Sequence, residues 1–257
     1  MHLASLLSLS LSLSLAAEES QHLSGAGTNK ALDQLSFTNT QRWDSPFLKL
    51  AQQSPLLLPK NWQQSITLPQ PPANSSPRTR AELALLKTLI SQRQKFETKI
   101  RAEVILDNFT FGKHRYLDLT DSNKRPATAK LLKAAFNDSG IAIFTFKKHF
   151  NRVRPSLLAE KLATPIGTSL PIPKHPAYPS GHASSAWSIA YLLSELDPEN
   201  AETYRQSATA ITEHREIAGL HYPSDSEAGR LLARQLIDIL LANPHCQRQL
   251  EQAKKEW

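Results

Sequence analysis

The 257-residue chain is 40% apolar and 21% charged, which places it among ordinary globular proteins with enough apolar side chains for a core. Its net charge of +7 favours anions of any kind, phosphorylated metabolites, nucleic acid or acidic lipid surfaces, without choosing among them. Cys246 is the only cysteine, which excludes an intrachain disulfide and leaves stability to packing.

The apolar run from Leu3 to Ala17 ends in small residues ahead of Glu18 and Glu19. It reads as a secretory signal peptide cleaved after Ala16 or Ala17, although a Ser-Leu alternation can also be a disordered or strand-like stretch. At about 15 residues it falls short of the roughly 20 that span a bilayer. Residues 21–80 are rich in Gln, Ser, Asn and Pro, a density of proline that blocks regular helix and strand. An irregular arm is expected there, anchored by Trp43, Phe47 and Trp62.

After Thr79 the pattern becomes helical, with Leu83, Leu86, Ile90, Phe96 and Ile100 at intervals of three and four residues or their sums. Further helices are predicted over 127–137, 140–151, 180–196, 200–218 and 224–242. Ser180 supplies an N-cap, Asp197-Pro198 a stop, Gly219 a left-handed helix end, and Asn243-Pro244 a final stop. Strand signals are scarce, so the expected fold is all-α, a compact multi-helix bundle. The apolar stretch 227–242 is interrupted by Glu227, Arg230, Arg234 and Asp238, which argues against a membrane span. The expected division is a signal peptide at 1–17, an arm at 18–80 and a helical domain at 81–257. Export would then leave a periplasmic or secreted protein with no transmembrane anchor once the signal is removed.

Three pieces carry chemical information. The first runs from Lys147 to Pro155 at a helix end, where Lys147 and Arg154 can give charge-assisted hydrogen bonds to an oxyanion. The second, His175 to Ala183, passes from a proline-stiffened loop into a helix start. Backbone amides near Ser180 and Gly181 favour an anion there, with His182 beside them. The third, Glu213 to Asp225, carries Arg215, His221 and Asp225, spaced so that the carboxylate can fix the Nδ1–H tautomer of His221 and leave Nε2 nucleophilic. Each piece alone has an ordinary explanation: a basic helix end facing its dipole, a simple cap, or local packing.

Together they resemble the type 2 phosphatidic acid phosphatase superfamily, whose pattern is K-x6-R-P, P-S-G-H and S-R-x5-H-x3-D. Lys147, Arg154, Pro155, Pro179, Ser180, Gly181, His182, Arg215, His221 and Asp225 match it in order. The Pro-rich stretch at 68–76 followed by a helix is similar to the soluble class A bacterial acid phosphatases. His214 departs from the pattern, standing where the family has Ser. The resemblance implies an acid phosphatase that hydrolyses phosphate monoesters through a phosphohistidine on His221. Asp225 would orient the nucleophile, and His182 would act as acid and then base. Lys147, Arg154, Arg215, Ser180 and Gly181 would hold the phosphoryl oxygens. It implies no metal and no resident cofactor, since a cation on His221 would consume the nucleophilic lone pair. Small phosphorylated substrates are the expected partners. No stable nucleic-acid partner is expected, because no basic stripe interleaved with aromatics is present, and a homo-oligomer is compatible with the sequence. Two alternatives stay open: a vanadium-dependent haloperoxidase-like enzyme, in which vanadate is the cofactor rather than an inhibitor, and a non-catalytic basic anion- or nucleic-acid-binding protein.

Overall fold

The computed structural model describes residues 29–104 and 124–257. The signal-peptide expectation for 1–17 lies outside these residues. Among the described residues the regular structure is helical and no strand forms, in agreement with the all-α expectation.

Residues 29–76 hold only short helical pieces: α1 (Lys30–Asp33), α2 (Ser45–Leu50) and 3-10 turns at Phe37–Asn39 and Trp62–Ser65. Prolines and short polar side chains prevent longer ones. The arm is nevertheless fastened to the domain, because Phe37, Trp43 and Trp62 are buried in the main core. Asp138, itself buried, accepts the amides of Leu56 at Oδ1 (2.7 Å) and of Leu57 (2.7 Å) and Leu58 (2.9 Å) at Oδ2. Hydrogen bonds to an ionised carboxylate are roughly twice as strong as neutral ones, so this nest is a firm tether.

Helix α3 (Pro77–Thr88) starts ahead of the expected boundary at residue 81, with the Ser76 hydroxyl accepting the amide of Thr79. A 3-10 turn leads into α4 (Arg93–Ala102). Then come α5 (Pro126–Phe150), α6 (Pro155–Lys161), α7 (Gly181–Leu196), α8 (Ala201–Ile217), α9 (Pro223–Ala242) and α10 (Pro244–Lys254). The local chemistry of their ends is as expected from sequence: the Ser180 side chain accepts from the Ala183 amide, Asp197 closes α7, and Gly219 adopts φ 75° after α8. One expectation is corrected, since the helices expected at 127–137 and 140–151 are one continuous α5.

Helix α7 lies at the centre, packed most extensively on α9 and α8 and also on α5, with α10 covering α5. It is buried on nearly all sides, and small residues at Ala183, Ala186 and Ala190 let its neighbours approach. Burial of Leu192 and Leu193 on its inner turns, each 0% exposed, contributes about 1.5–3 kcal/mol apiece. At Gly229 on α9, an added Cβ would come within 2.7 Å of the Ser180 carbonyl oxygen and 2.9 Å of the Ala183 Cβ. The start of α7 therefore rests directly on α9. No helix among the described residues is long and apolar enough to cross a membrane.

Candidate active site

The C-terminal end of α5, the N-terminal end of α7, the C-terminal end of α8 and the N-terminal end of α9 converge on one cavity. It is lined by Arg154, Gly181, His182, Arg215 and His221, together with His175, Ser185, Phe47, Ile143, Phe144, Pro173 and Leu220. The lining thus combines two cations and three imidazoles with rings and aliphatic side chains.

His221 lies in the turn before α9. Asp225 is the third residue of that helix, so its carboxylate can reach back across the first turn. Its Oδ2 is 3.1 Å from His221 Nδ1 and accepts the Tyr222 amide at 3.0 Å. On the far side of the ring, Nε2 is 3.1 Å from Nη1 of Arg154. A guanidinium has hydrogens to donate and no acceptor, so Nε2 must be the unprotonated nitrogen and Nδ1–H must face Asp225. The tautomer expected from the sequence is enforced from both sides. Burial, and then the charge of Arg154, hold the imidazole well below its ordinary pKa of 6.5. Against the upward push of burial, Arg152 and His221 hold the Asp225 carboxyl down at about 2.

Arg154 is fully buried in a cradle of acceptors. Its Nε donates to the His175 carbonyl oxygen (3.0 Å), its Nη1 to the Leu220 carbonyl oxygen (2.9 Å), and its Nη2 lies 3.0 Å from His175 Nδ1. By the same reasoning His175 accepts at Nδ1. Burial and the nearby charges of Lys147 and Arg154 keep it neutral, well below the ordinary value. The His175 ring stands edge-on to Phe47 and Phe144, with centroids at 4.8 and 5.1 Å.

Three of the residues singled out in the sequence stand behind the cavity rather than on its wall. Lys147, in the last turn of α5, donates from Nζ to the carbonyl oxygens of Pro176 (2.7 Å) and Ala177 (3.0 Å). Its charge still reaches the site, for it contributes to the lowering of both His175 and His221. Ser180 caps α7 through its hydroxyl and donates its amide to the Asp225 carbonyl oxygen at 2.9 Å, which ties the α7 loop to the start of α9. Asp225 acts through His221. Gly181 opens α7, where an α-helix leaves amides without intrahelical partners. His182, one residue on, places Nε2 at 3.1 Å from the Glu103 carbonyl oxygen.

Three further residues support the site and were not singled out in the sequence. Arg152 donates from Nη1 to Asp225 Oδ1 (2.6 Å) and to the Ser224 hydroxyl (2.8 Å), while its guanidinium lies over the Tyr222 ring at 3.9 Å. Glu82 on α3 completes this layer, accepting the Ser224 amide at 2.9 Å and lying 3.4 Å from Arg152. The signal for Arg152 was its place two residues before Arg154 in the basic motif. Glu103 accepts Arg215 Nη2 at 2.7 Å and has His214 Nδ1 at 2.6 Å, a partnership that no local pattern announces.

Residues 128–243 match the PAP2 superfamily, over the helices that carry every motif residue named above. Among curated proteins, the chain is similar to the non-specific acid phosphatase of Providencia stuartii, 32% identical over 133 residues, which is 51% of this chain and 54% of that protein. It is also 32% identical over 139 residues to the acid phosphatase of Zymomonas mobilis, covering 53% of this chain and 52% of that protein. The matches thus span about half the length of these relatives. Among solved structures, a bacterial vanadium-dependent iodoperoxidase superposes with a TM-score of 0.63 at 16% identity, covering 89% of this chain and 64% of the other. An apo bacterial vanadium-dependent chloroperoxidase gives 0.55 at 13% identity, covering 82% and 57%. At that identity the two structures show a shared helical fold and nothing finer.

Proposed function

We propose that the protein is an acid phosphatase that hydrolyses phosphate monoesters through a phosphohistidine on His221, without a metal ion. The observation that carries this reading is the placement of His221 Nε2 as a lone pair, held between the Asp225 carboxylate and the Arg154 guanidinium. The acid phosphatase relatives support it. The donor set on the polar wall, Arg154, Arg215 and three imidazoles, suits an oxyanion and would repel a cation.

In the first step Nε2 forms a bond to phosphorus as the bond from phosphorus to the ester oxygen breaks. As substrate enters, Nη1–H of Arg154 turns from Nε2 to donate to a phosphoryl oxygen, keeping its proton and freeing the lone pair. His182 supplies the proton that the departing oxygen takes. Because Nε2–H of His182 is directed at the Glu103 carbonyl, that proton comes from Nδ1 of the imidazolium form. In the second step neutral His182 takes a proton from water, the hydroxyl oxygen attacks phosphorus, and the bond from phosphorus to His221 breaks. Inorganic phosphate leaves and both rings return to their starting states. Arg154 and Arg215 hold the equatorial oxygens with Gly181, and the field of Lys147 adds to theirs. Ser180 shapes the loop. Removal of 1–17 as a signal and delivery outside the cytoplasm belong to the same reading, with small phosphorylated molecules as substrates.

The test is His221→Ala with an aryl phosphate. Hydrolysis should fall by a factor on the order of 10³ or more, with the helical circular dichroism unchanged, and a rapid acid-free quench of wild type should trap phosphate on His221 by mass spectrometry. Undiminished turnover in the variant would sink the mechanism. The haloperoxidase-like alternative would use the same nitrogen to hold vanadate. Hydrolysis by protein freed of vanadate, with inhibition on its addition, separates the two.

A further inference from the structure

Helix α4 is clamped against the end of α8. Arg93 at its start donates to the carbonyl oxygens of Ile217 (2.8 Å), Ile166 (2.8 Å) and Gly167 (3.2 Å). Ile100, 0% exposed, packs with Ile217, Ala218 and Leu220. The residue that follows this helix, Glu103, is thereby delivered to the back of the cavity, where it is 7% exposed.

Glu103 makes three contacts there, each to a residue of a site motif. Its backbone oxygen accepts His182 Nε2–H at 3.1 Å, Oε2 accepts Arg215 Nη2 at 2.7 Å, and Oε1 lies 2.6 Å from His214 Nδ1. An ionised carboxylate only accepts, so His214 is a donor at Nδ1. The Phe96 ring, 5.0 Å away between centroids, backs the His214 imidazole. Arg215 gives a further hydrogen bond from the same Nη2 to the Ile100 carbonyl oxygen at 2.9 Å.

We propose that Glu103 is a positioning residue that holds Arg215 and His182 in register for the reaction, and that His214 is the second anchor of its carboxylate. This rests on the hydrolase reading above. His182 and Arg215 come from different helices, α7 and α8, and both must meet the same phosphoryl group. A guanidinium whose plane is set by a buried carboxylate arrives at the transition state already oriented, which is how supporting residues preserve reactivity. Glu103 stands behind the guanidinium rather than on the cavity wall. The imidazole at position 214, where the family motif carries Ser, supplies the hydrogen that pins Oε1. The departure from the motif and the carboxylate are one device.

The experiment compares Glu103→Ala, Glu103→Gln, His214→Ala and the Glu103→Ala/His214→Ala double variant of the full chain. Each is measured for kcat and KM on an aryl phosphate, for affinity toward inorganic phosphate by calorimetry, and for thermal unfolding. Glu103→Ala should lose about 10- to 100-fold in kcat/KM and bind inorganic phosphate more weakly. Glu103→Gln keeps an oxygen for Arg215 and should recover to within about tenfold of wild type, because a neutral acceptor retains part of the hydrogen bond. The double variant should be no worse than Glu103→Ala, the signature of two residues acting as a unit. Wild-type kinetics in Glu103→Ala, tighter phosphate binding in it, or equal impairment of the Ala and Gln variants would each overturn the proposal. So would a loss traced wholly to a smaller folded fraction, with KM and phosphate affinity unchanged. Should wild type hydrolyse nothing, the hydrolase reading fails by itself. Phosphate affinity then decides the role of Glu103, weakened affinity in Glu103→Ala supporting it and unchanged affinity refuting it.

Discussion

Nη1 of Arg154 sits 3.1 Å from Nε2 of His221, so the lone pair of the proposed nucleophile faces a cation before any substrate is present. The arrangement keeps the ring neutral in acid. His221 is held well below 6.5 by burial and then by Arg154, so the acid limb of kcat/KM should lie well below pH 6.5, activity disappearing only as falling pH protonates the ring. Arg154→Gln removes part of that effect and also a donor to the phosphoryl oxygens. It should move the acid limb to higher pH and lower kcat/KM by about 10²–10³. A pH-rate profile whose acid limb stays in place would show that Arg154 does not set the state of His221.

Arg152 is the counter-charge of Asp225, with both side chains fully buried or nearly so. Breaking such a pair leaves an uncompensated carboxylate in the interior. Arg152→Leu should therefore lose about 3–5 kcal/mol in denaturant unfolding at neutral pH. The sign with pH follows from the depressed carboxyl. Stability from Asp225 is present above the ordinary value of 3.8 and is lost as pH falls toward about 2. Without Arg152 that loss should begin at higher pH, and acid unfolding of Arg152→Leu should shift upward accordingly.

Glu216 on α8 behaves oppositely. Burial, with the charges of Glu213, Asp225 and Glu82, raises its carboxyl to about 7 from 4.5. In that interval the folded chain binds more protons than the unfolded one, so stability should fall as pH rises from 4.5 to about 7. Glu216→Gln should flatten this slope and raise the melting temperature at pH 7 relative to wild type. A variant with an unchanged slope in thermal unfolding would refute the assignment.

Much of this was legible in the sequence, and the failures share one cause. Ser180, Asp197 and Gly219 mark helix ends correctly because capping depends on a few neighbouring dihedrals. Asp138-Ser139-Gly140 reads as a break by the same local logic, yet α5 runs through it. There the Asp138 carboxylate is taken up by the amides of residues 56–58, far away in the chain, and is no longer free to compete with the helix. Asn243-Pro244 closes α9 as expected, and Pro244 then opens α10 as Pro155 opens α6, at a first helical position where proline is tolerated. In the site, the three motifs locate the residues on the cavity wall, whereas Glu82 and Glu103 come from helices that carry no motif. Their roles depend on tertiary approach, which spacing within one segment cannot reveal.

Phe47 places an aromatic wall on the cavity, stacked on Phe144 with centroids 4.8 Å apart and planes at 18°. A planar leaving group can lie against it. Phe47→Ala should raise KM for an aryl phosphate by roughly 2- to 12-fold, the equivalent of one aromatic contact, and leave KM for glycerol phosphate nearly unchanged. Equal effects on both substrates in steady-state assays would exclude that role.

The Asp138 nest gives this last point a wider meaning. The three amides it grips belong to the same arm that carries Phe47, while the cations and imidazoles of the cavity come from residues 154–221. One chamber is thus assembled from two distant stretches of the chain that share a single core. A change at Phe47 alone would therefore alter the aromatic wall, whereas loss of residues 29–76 would strip Phe37, Trp43 and Trp62 from the shared core.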